Sequence, residues 1–390
     1  MRRVLFFLLA ALVLPQALPA QSLFSTRGLG VPIEPLDARA RALGGIGVGL
    51  LGVNPSLVNP AELGGILRRG VSAALQPATH DQALGDDQAS VSATRFPLLG
   101  ILYPLNQRLT LGVGYGGYLE QSWGVRETGS VTLDDRNVEY LDVVRTTGGL
   151  GQVRVSAAYL LTPALSVGAT GGVMTGNLDR AITRTFEDTT STLRNFSTRV
   201  GWEYSGLVGG LGARYDLNPA LRIGANVTMT GDIDADSATG AAVSRSYGGA
   251  LQLALGASGR VSRDLALALG VVRHRYPESP GETTVTRDTW TLGGGVEYEG
   301  LRGGRRVFPL RLGARLQELP YHASGEEPAK ELSGALGLGF RLASDQTGPL
   351  AVVDVGVERA KRTGLESSTL QAGLEDSLWR FTFSLSLFGR

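Results

Sequence analysis

Histidine, acidic and glycine-rich positions are where this chain of 390 residues could do chemistry, and the spacing of each group tests the idea. His80, His274 and His322 stand far apart, without the i, i+4 spacing that puts two imidazoles on one helix face. There is no cysteine to complete a zinc set or to form a disulfide. Adjacent acids occur at Asp86-Asp87, Asp134-Asp135 and Glu326-Glu327. Their polar surroundings read as solvated outer loops, with divalent-cation bridging as the alternative. Gly47-Val48-Gly49-Leu50-Leu51-Gly52 literally fits G-x-G-x-x-G. A dinucleotide site, however, needs a preceding strand and a βαβ unit, and neither is present. No Ser-His-Asp arrangement is visible. The reading is a protein that is not an enzyme and has neither metal nor cofactor.

The elements that hold these residues explain why chemistry is absent. The first twenty residues have the parts of an export signal: basic Arg2 and Arg3, an apolar run from Val4 to Leu14, and Ala17-Leu18-Pro19-Ala20 as a small-residue cleavage site. Beyond them no apolar run reaches the length a transmembrane helix needs. A net charge of +1 argues against a nucleic-acid partner. Nearly all the positive charge is arginine, for Lys330 and Lys361 are the only lysines.

One pattern recurs through the remainder: a tight turn, then Leu-x-(Leu/Val/Ile)-Gly, then alternating residues. It stands at Leu109-Thr110-Leu111-Gly112, Leu165-Ser166-Val167-Gly168 and Leu221-Arg222-Ile223-Gly224, with looser copies at Ser262-Arg263-Asp264-Leu265 and Phe308-Pro309-Leu310-Arg311-Leu312-Gly313. The alternation has period two. Leu221, Ile223, Ala225, Val227 and Met229 oppose Arg222, Gly224, Asn226 and Thr228; Trp379, Phe381, Phe383, Leu385 and Leu387 oppose Arg380, Thr382, Ser384 and Ser386. A soluble sandwich would share this alternation, but several patterns run nine residues or more, the length that crosses a bilayer. Aromatic residues such as Tyr103, Tyr159, Tyr215, Tyr298, Trp290 and Trp379 fall near strand ends, where interfacial girdles lie.

The sequence therefore predicts an all-β fold, a transmembrane antiparallel barrel in the bacterial outer membrane. Six short turns (near 104–107, 162–164, 218–220, 262–264, 300–306 and 345–348) alternate with seven longer polar connections (near 79–87, 124–137, 184–195, 232–240, 277–283, 322–330 and 362–367). Thirteen connections imply fourteen strands, with both termini on the periplasmic side. The expected partners are outer-membrane lipid and, during insertion, the barrel-assembly machinery. A closed barrel can enclose a polar lumen, so the protein reads as a conduit.

Residues 21–69 are too irregular for barrel wall and too rich in glycine and proline for a separate domain. They contain Arg39-Ala40-Arg41-Ala42-Leu43-Gly44-Gly45-Ile46-Gly47-Val48-Gly49 and Asn54-Pro55-Ser56-Leu57-Val58-Asn59-Pro60-Ala61. This run resembles the N-terminal hatch of FadL-like outer-membrane transporters. The resemblance implies a signal peptide at 1–20, a plug at 21–69 with Asn59, Pro60 and Ala61 as its motif, and a fourteen-stranded barrel at 70–390. It also implies passive uptake of small hydrophobic compounds, long-chain fatty acids or hydrocarbons, with a sideways exit through a strand interruption. Gly114, Gly116 and Gly117 are the candidate kink for that exit, since glycine marks bulges. Two other readings stay open: a PorV-like scaffold in type IX protein secretion, which shares a similar N-terminal run, and a general diffusion porin.

Overall fold

In the computed structural model, residues 30–389 are described except 56, 85–86, 134–135, 187–193, 239–242, 277–287, 304–305, 323–327, 346–347 and 368–371, with backbone alone at a few adjoining strand ends. The expected export signal, the side chains of the three acidic pairs and that of His322 lie outside the described residues.

Fourteen antiparallel strands close into a barrel. They are β1 (Gly70–Leu84), β2 (Asp87–Pro104), β3 (Leu109–Glu120, resuming as Trp123–Leu133), β4 (Arg136–Leu160), β5 (Leu165–Phe186), β6 (Phe196–Asn218) and β7 (Leu221–Ser237). The ring continues through β8 (Arg245–Tyr247 and Leu251–Arg260), β9 (Leu265–Arg275), β10 (Asp288–Tyr298), β11 (Leu310–His322), β12 (Pro328–Asp345), β13 (Gly348–Ser367) and β14 (Ala372–Phe388). Closure comes from β14 against β1, whose register runs from Leu374↔Leu84 to Phe388↔Gly70. No helix among the described residues is long and apolar enough to cross a membrane; the strands do the crossing.

Side chains sort by parity as the alternation requires. On β11, Leu310, Leu312 and Leu316 are exposed on the outside while Arg311, Arg315 and Gln317 are buried inside. On β7 and β8, Ile223 and Leu253 face out, and Leu385 on β14 follows the same parity. Tyr103, Tyr159, Tyr215 and Tyr298 mark one edge of the apolar band and Trp290 and Trp379 the other. Short turns join the strands at the tyrosine edge, which is therefore the periplasmic side.

The outer connections differ from the sequence expectation. The described residues near 79–87, 124–137, 232–240 and 362–367 are largely strand: β3 continues to Leu133, β4 begins at Arg136 and β7 reaches Ser237. Above the membrane both faces of a sheet meet water, so the apolar alternation that signals a strand fades while the backbone ladder persists.

Residues 30–69 lie within the ring. They form a two-residue strand (Val31–Pro32) on β3, α1 (Ala38–Ala42) capped by Asp37, and a 3-10 turn (Pro60–Leu63) capped by Asn59. The recurring glycine of the sequence motif now has its cause. A Cβ at Gly168 would lie 2.6 Å from Ala61 N, one at Gly224 2.7 Å from Gly49 N, and one at Gly313 2.6 Å from Ala42 O. At these three copies the inward glycine lets the luminal backbone rest directly on the wall, while a Cβ at Gly112 would meet the Leu63 side chain. The looser copy on β9 places Ala268 at the equivalent level, packed with Leu36, Leu43, Ile46 and Leu50 of the segment.

Candidate functional site

Inward positions change in chemistry round the barrel, with the densest charge on one side and an apolar group on the other. From β10 round to β2 the lumen is filled by paired charges. Arg311 donates to Glu297 (2.8 Å) and Asp354 (2.6 Å), Arg315 to Glu331 (2.7 Å), and Arg362 to Glu331 (2.7 Å) and Asp376 (3.3 Å). Arg380 also reaches Glu331, and His80 Nδ1 lies 3.0 Å from Asp376. The luminal segment joins this network through Arg39 to Glu297 (2.8 Å) and Arg315 to Glu34 (2.5 Å). Burying so many ions is tolerable only because each finds a partner.

Carboxyls of the luminal segment answer to their neighbours. Burial opposes ionisation of Glu34, but Arg315 and Arg41 outweigh it and hold its carboxyl below the ordinary range. Burial raises Asp37, reinforced by Asp354. Glu62 is raised by burial too, against the pull of Arg222 at 3.8 Å and of the Gly49 N–H, which donates to it at 2.8 Å.

Across β3 to β7 the inward side chains include a large apolar group beside polar ones such as Thr146, Gln152, Arg154, Arg214 and Asn226. Leu119, Leu150, Met174, Leu178, Tyr204, Val208 and Ile233 form one buried cluster, with Tyr118 and Trp202 packed on it. Beside the cluster, between Pro32–Leu36 and the wall, lies a cavity of about 60 Å³ lined by Ile33, Val48, Val58 and Leu119 and by Gln152, Arg154 and His274. That space holds about two waters. That volume is too small for a long apolar ligand.

Arg154 stands out at this cavity. Eight arginines are buried among the described residues, and seven have a carboxylate at ion-pair distance. Arg154 has only Gln152 Oε1 (2.7 Å) and the Leu57 carbonyl (3.3 Å). Sequence reasoning missed it, since a strand reading Val153-Arg154-Val155 gives the direction of the side chain but not what faces it.

The wall is incomplete next to this cavity. The β2–β3 ladder runs from Pro104↔Thr110 to Leu99↔Tyr115 and ends there. Two residues further along β2 stands Pro97, which has no N–H to donate. Beyond a bulge at Gly117/Leu119, β3 keeps its ladder with β4, while Glu120 and Leu119 pair with Val31 and Pro32 of the luminal segment rather than with β2. Gly114, Gly116 and Gly117 lie at this departure. Cβ atoms there would meet Leu57, Pro35 and Ile33 respectively, so these glycines make room for the luminal segment as β3 bends inward. Asn59, Pro60 and Ala61 sit together against β5 and β6: Asn59 Nδ2 donates to Ala213 O (3.2 Å), its Oδ1 accepts from Ala61 N (3.0 Å), and all three are buried. The segment Gly47–Gly52 is luminal backbone in which Gly49 and Gly52 take positive φ. Among the described residues no group of three His, Asp or Glu is placed to hold a metal ion.

Comparison with solved structures identifies the architecture. A FadL homologue of Pseudomonas aeruginosa superposes with a TM-score of 0.62 at 15% identity, over 93% of this chain and 99% of that one. The toluene transporter TbuX of Ralstonia pickettii gives 0.57 at 18% identity, over 92% and 99%. The toluene transporter TodX of Pseudomonas putida gives 0.57 at 14%, over 92% and 100%. At these identities the likeness establishes the fold, a FadL-type outer-membrane barrel. A comparison with curated proteins finds no match. The family model described as BamG matches residues 2–247, more than half of the chain, and the protein belongs to the BamG family.

Proposed function

We propose that the protein is an outer-membrane conduit for small hydrophobic compounds, in which residues 21–69 act as a plug and the seam between β2 and β3 is the sideways exit. Several solved barrels of this fold are named as toluene transporters or monoaromatic hydrocarbon channels, which supports the general class. The apolar cluster on β3 to β7 offers a path for a water-averse solute from outside, and the seam lies next to the cavity where that path ends. A freely open porin fits poorly with a lumen filled by charge pairs and backbone.

Within that class we favour a carboxylate-bearing chain, a long-chain fatty acid, over an uncharged hydrocarbon. The observation that carries this is Arg154, a buried cation at the cavity without an acidic partner among the described residues. A carboxylate head would complete it by a charge-assisted, two-pronged hydrogen bond. The test is uptake of labelled palmitate and of labelled toluene into proteoliposomes by the wild type and by Arg154→Gln. Palmitate uptake should fall at least tenfold while toluene uptake is unchanged; equal loss of both would overturn the preference for an acid.

A second reading has its own support. The luminal segment is seated on wall glycines of several strands, a close fit that suits a scaffold in an envelope assembly. A wild-type protein that moves neither probe but copurifies with stoichiometric envelope proteins would favour it.

A further inference from the structure

We propose that the lipid-facing side of β12 and β13, just above the apolar band, binds the phosphate groups of the glycolipid that forms the outer leaflet. Lys330 and Lys361, the only lysines in the sequence, both lie there. Lys330 is on β12 and Lys361 on β13, where it pairs in register with Leu332, two residues along from Lys330. Arg359 follows on the same face of β13, its guanidinium 5.0 Å from the Trp379 ring. All three side chains are exposed, and each sits within four residues of the last lipid-facing aliphatic residue, Leu332 on β12 or Val357 on β13. On β9 the same belt carries Arg273, stacked 5.5 Å from Trp290, and Arg275.

Position and charge together select the occupant. An aromatic girdle places these cations at headgroup depth, where long basic side chains reach up from apolar stems to anionic groups. The acids nearby do not cancel the belt. Lys361 meets Glu375 at 2.9 Å with both more than half exposed, Arg273 pairs with Asp288 with both more than a third exposed, and Glu318 stands in register opposite Lys330; such open pairs contribute little. Nor is the charge a general property of the outer rim. On the opposite wall, above Leu207 and Met229, the outward residues are Glu203 on β6 and Asp232, Asp234 and Asp236 on β7. One side of the barrel is thus basic and the other acidic at comparable height. Lysine also departs from the habit of this chain: inside the barrel, geometry-locked charge pairs use arginine, whereas a mobile phosphate suits a flexible ammonium with three rotatable donors.

Native mass spectrometry of the detergent-purified chain tests the proposal with three probes: bisphosphorylated lipid A, its dephosphorylated form and phosphatidylglycerol. Wild type should retain the bisphosphorylated form at least tenfold better than either of the others. The variant Lys330→Gln/Arg359→Gln/Lys361→Gln should lose that advantage, while Arg199→Gln, an exposed change on the acidic side, should keep it. Equal retention of the dephosphorylated lipid or of phosphatidylglycerol by wild type would overturn the proposal, and that arm needs no variant to fold. Undiminished retention by the triple variant, with barrel folding verified by its heat-shifted gel mobility, would also overturn it.

Discussion

Arg95 on β2 and Glu120 on β3 form a buried ion pair across the stretch where the backbone ladder between their strands has already ended. Elsewhere neighbouring strands are held by hydrogen bonds whose loss in a bilayer would cost several kcal/mol per group. At this seam a pair of side chains replaces them, and side chains can part without unravelling a strand. The luminal segment reinforces the arrangement, since Val31 occupies the register position opposite Glu120.

The facing of β8 can be tested at two adjacent residues. Leu253 meets lipid and Gln252 lines the luminal cavity. Leu253→Arg should destabilise the barrel by about 2–4 kcal/mol near the bilayer midplane, and Gln252→Arg by clearly less. Urea titration in lipid vesicles measures both. Equal costs would mean the register is wrong, because a slip of one residue exchanges the two faces.

Glu331 is the hub of the charged half, reached by Arg315, Arg362 and Arg380. Glu331→Gln should cost about 3–5 kcal/mol, since it strands buried guanidinium groups. The same unfolding titration reads it. A loss under 1 kcal/mol would show that water reaches the network.

The plug proposal predicts that deleting residues 21–69 leaves an assembled barrel that conducts ions freely. Asn59→Ala removes the cap of the 3-10 turn and the bond to Ala213 O, and should loosen the segment by about 1 kcal/mol. Single-channel recording should find frequent brief openings in Asn59→Ala and none in wild type. A deleted form no more conductive than wild type would contradict the plug role.

Acid should tighten the local hold of Glu62. Its carboxyl is raised above the unfolded value, chiefly by burial, so its stabilising contribution is full below the ordinary carboxylate range and is lost as pH rises through the raised value. Glu62→Gln keeps the shape without the titration. The stability difference between wild type and Glu62→Gln should therefore shift against wild type as pH climbs from about 4 to 8. Thermal melts across that range would reveal it, and a flat difference would contradict it.

Much of the wall was legible in the sequence because lipid and lumen impose opposite chemistry on alternate residues, as Ile223 against Arg222 shows. The repeated glycines were legible as a pattern, but their cause was not, since nothing at Gly168 or Gly224 says that the backbone of Ala61 or Gly49 will press on it. Inward charges raise the same difficulty. Arg95 and Arg154 look alike in sequence, yet barrel stagger brings Glu120 to one and, among the described residues, no carboxylate to the other. Pro97 was the available clue to the seam, for a proline inside a strand pattern marks an edge.

The seam between β2 and β3 is the proposed sideways exit, and the absence of native cysteine allows a direct test of it. Arg95→Cys/Glu120→Cys can be bridged by a short bifunctional thiol reagent in proteoliposomes while uptake of labelled palmitate is followed. Clamping should stop uptake, and reductive release of a cleavable clamp should restore it, with each single-cysteine variant unaffected by the reagent. Undiminished uptake through a fully clamped seam would contradict the sideways exit.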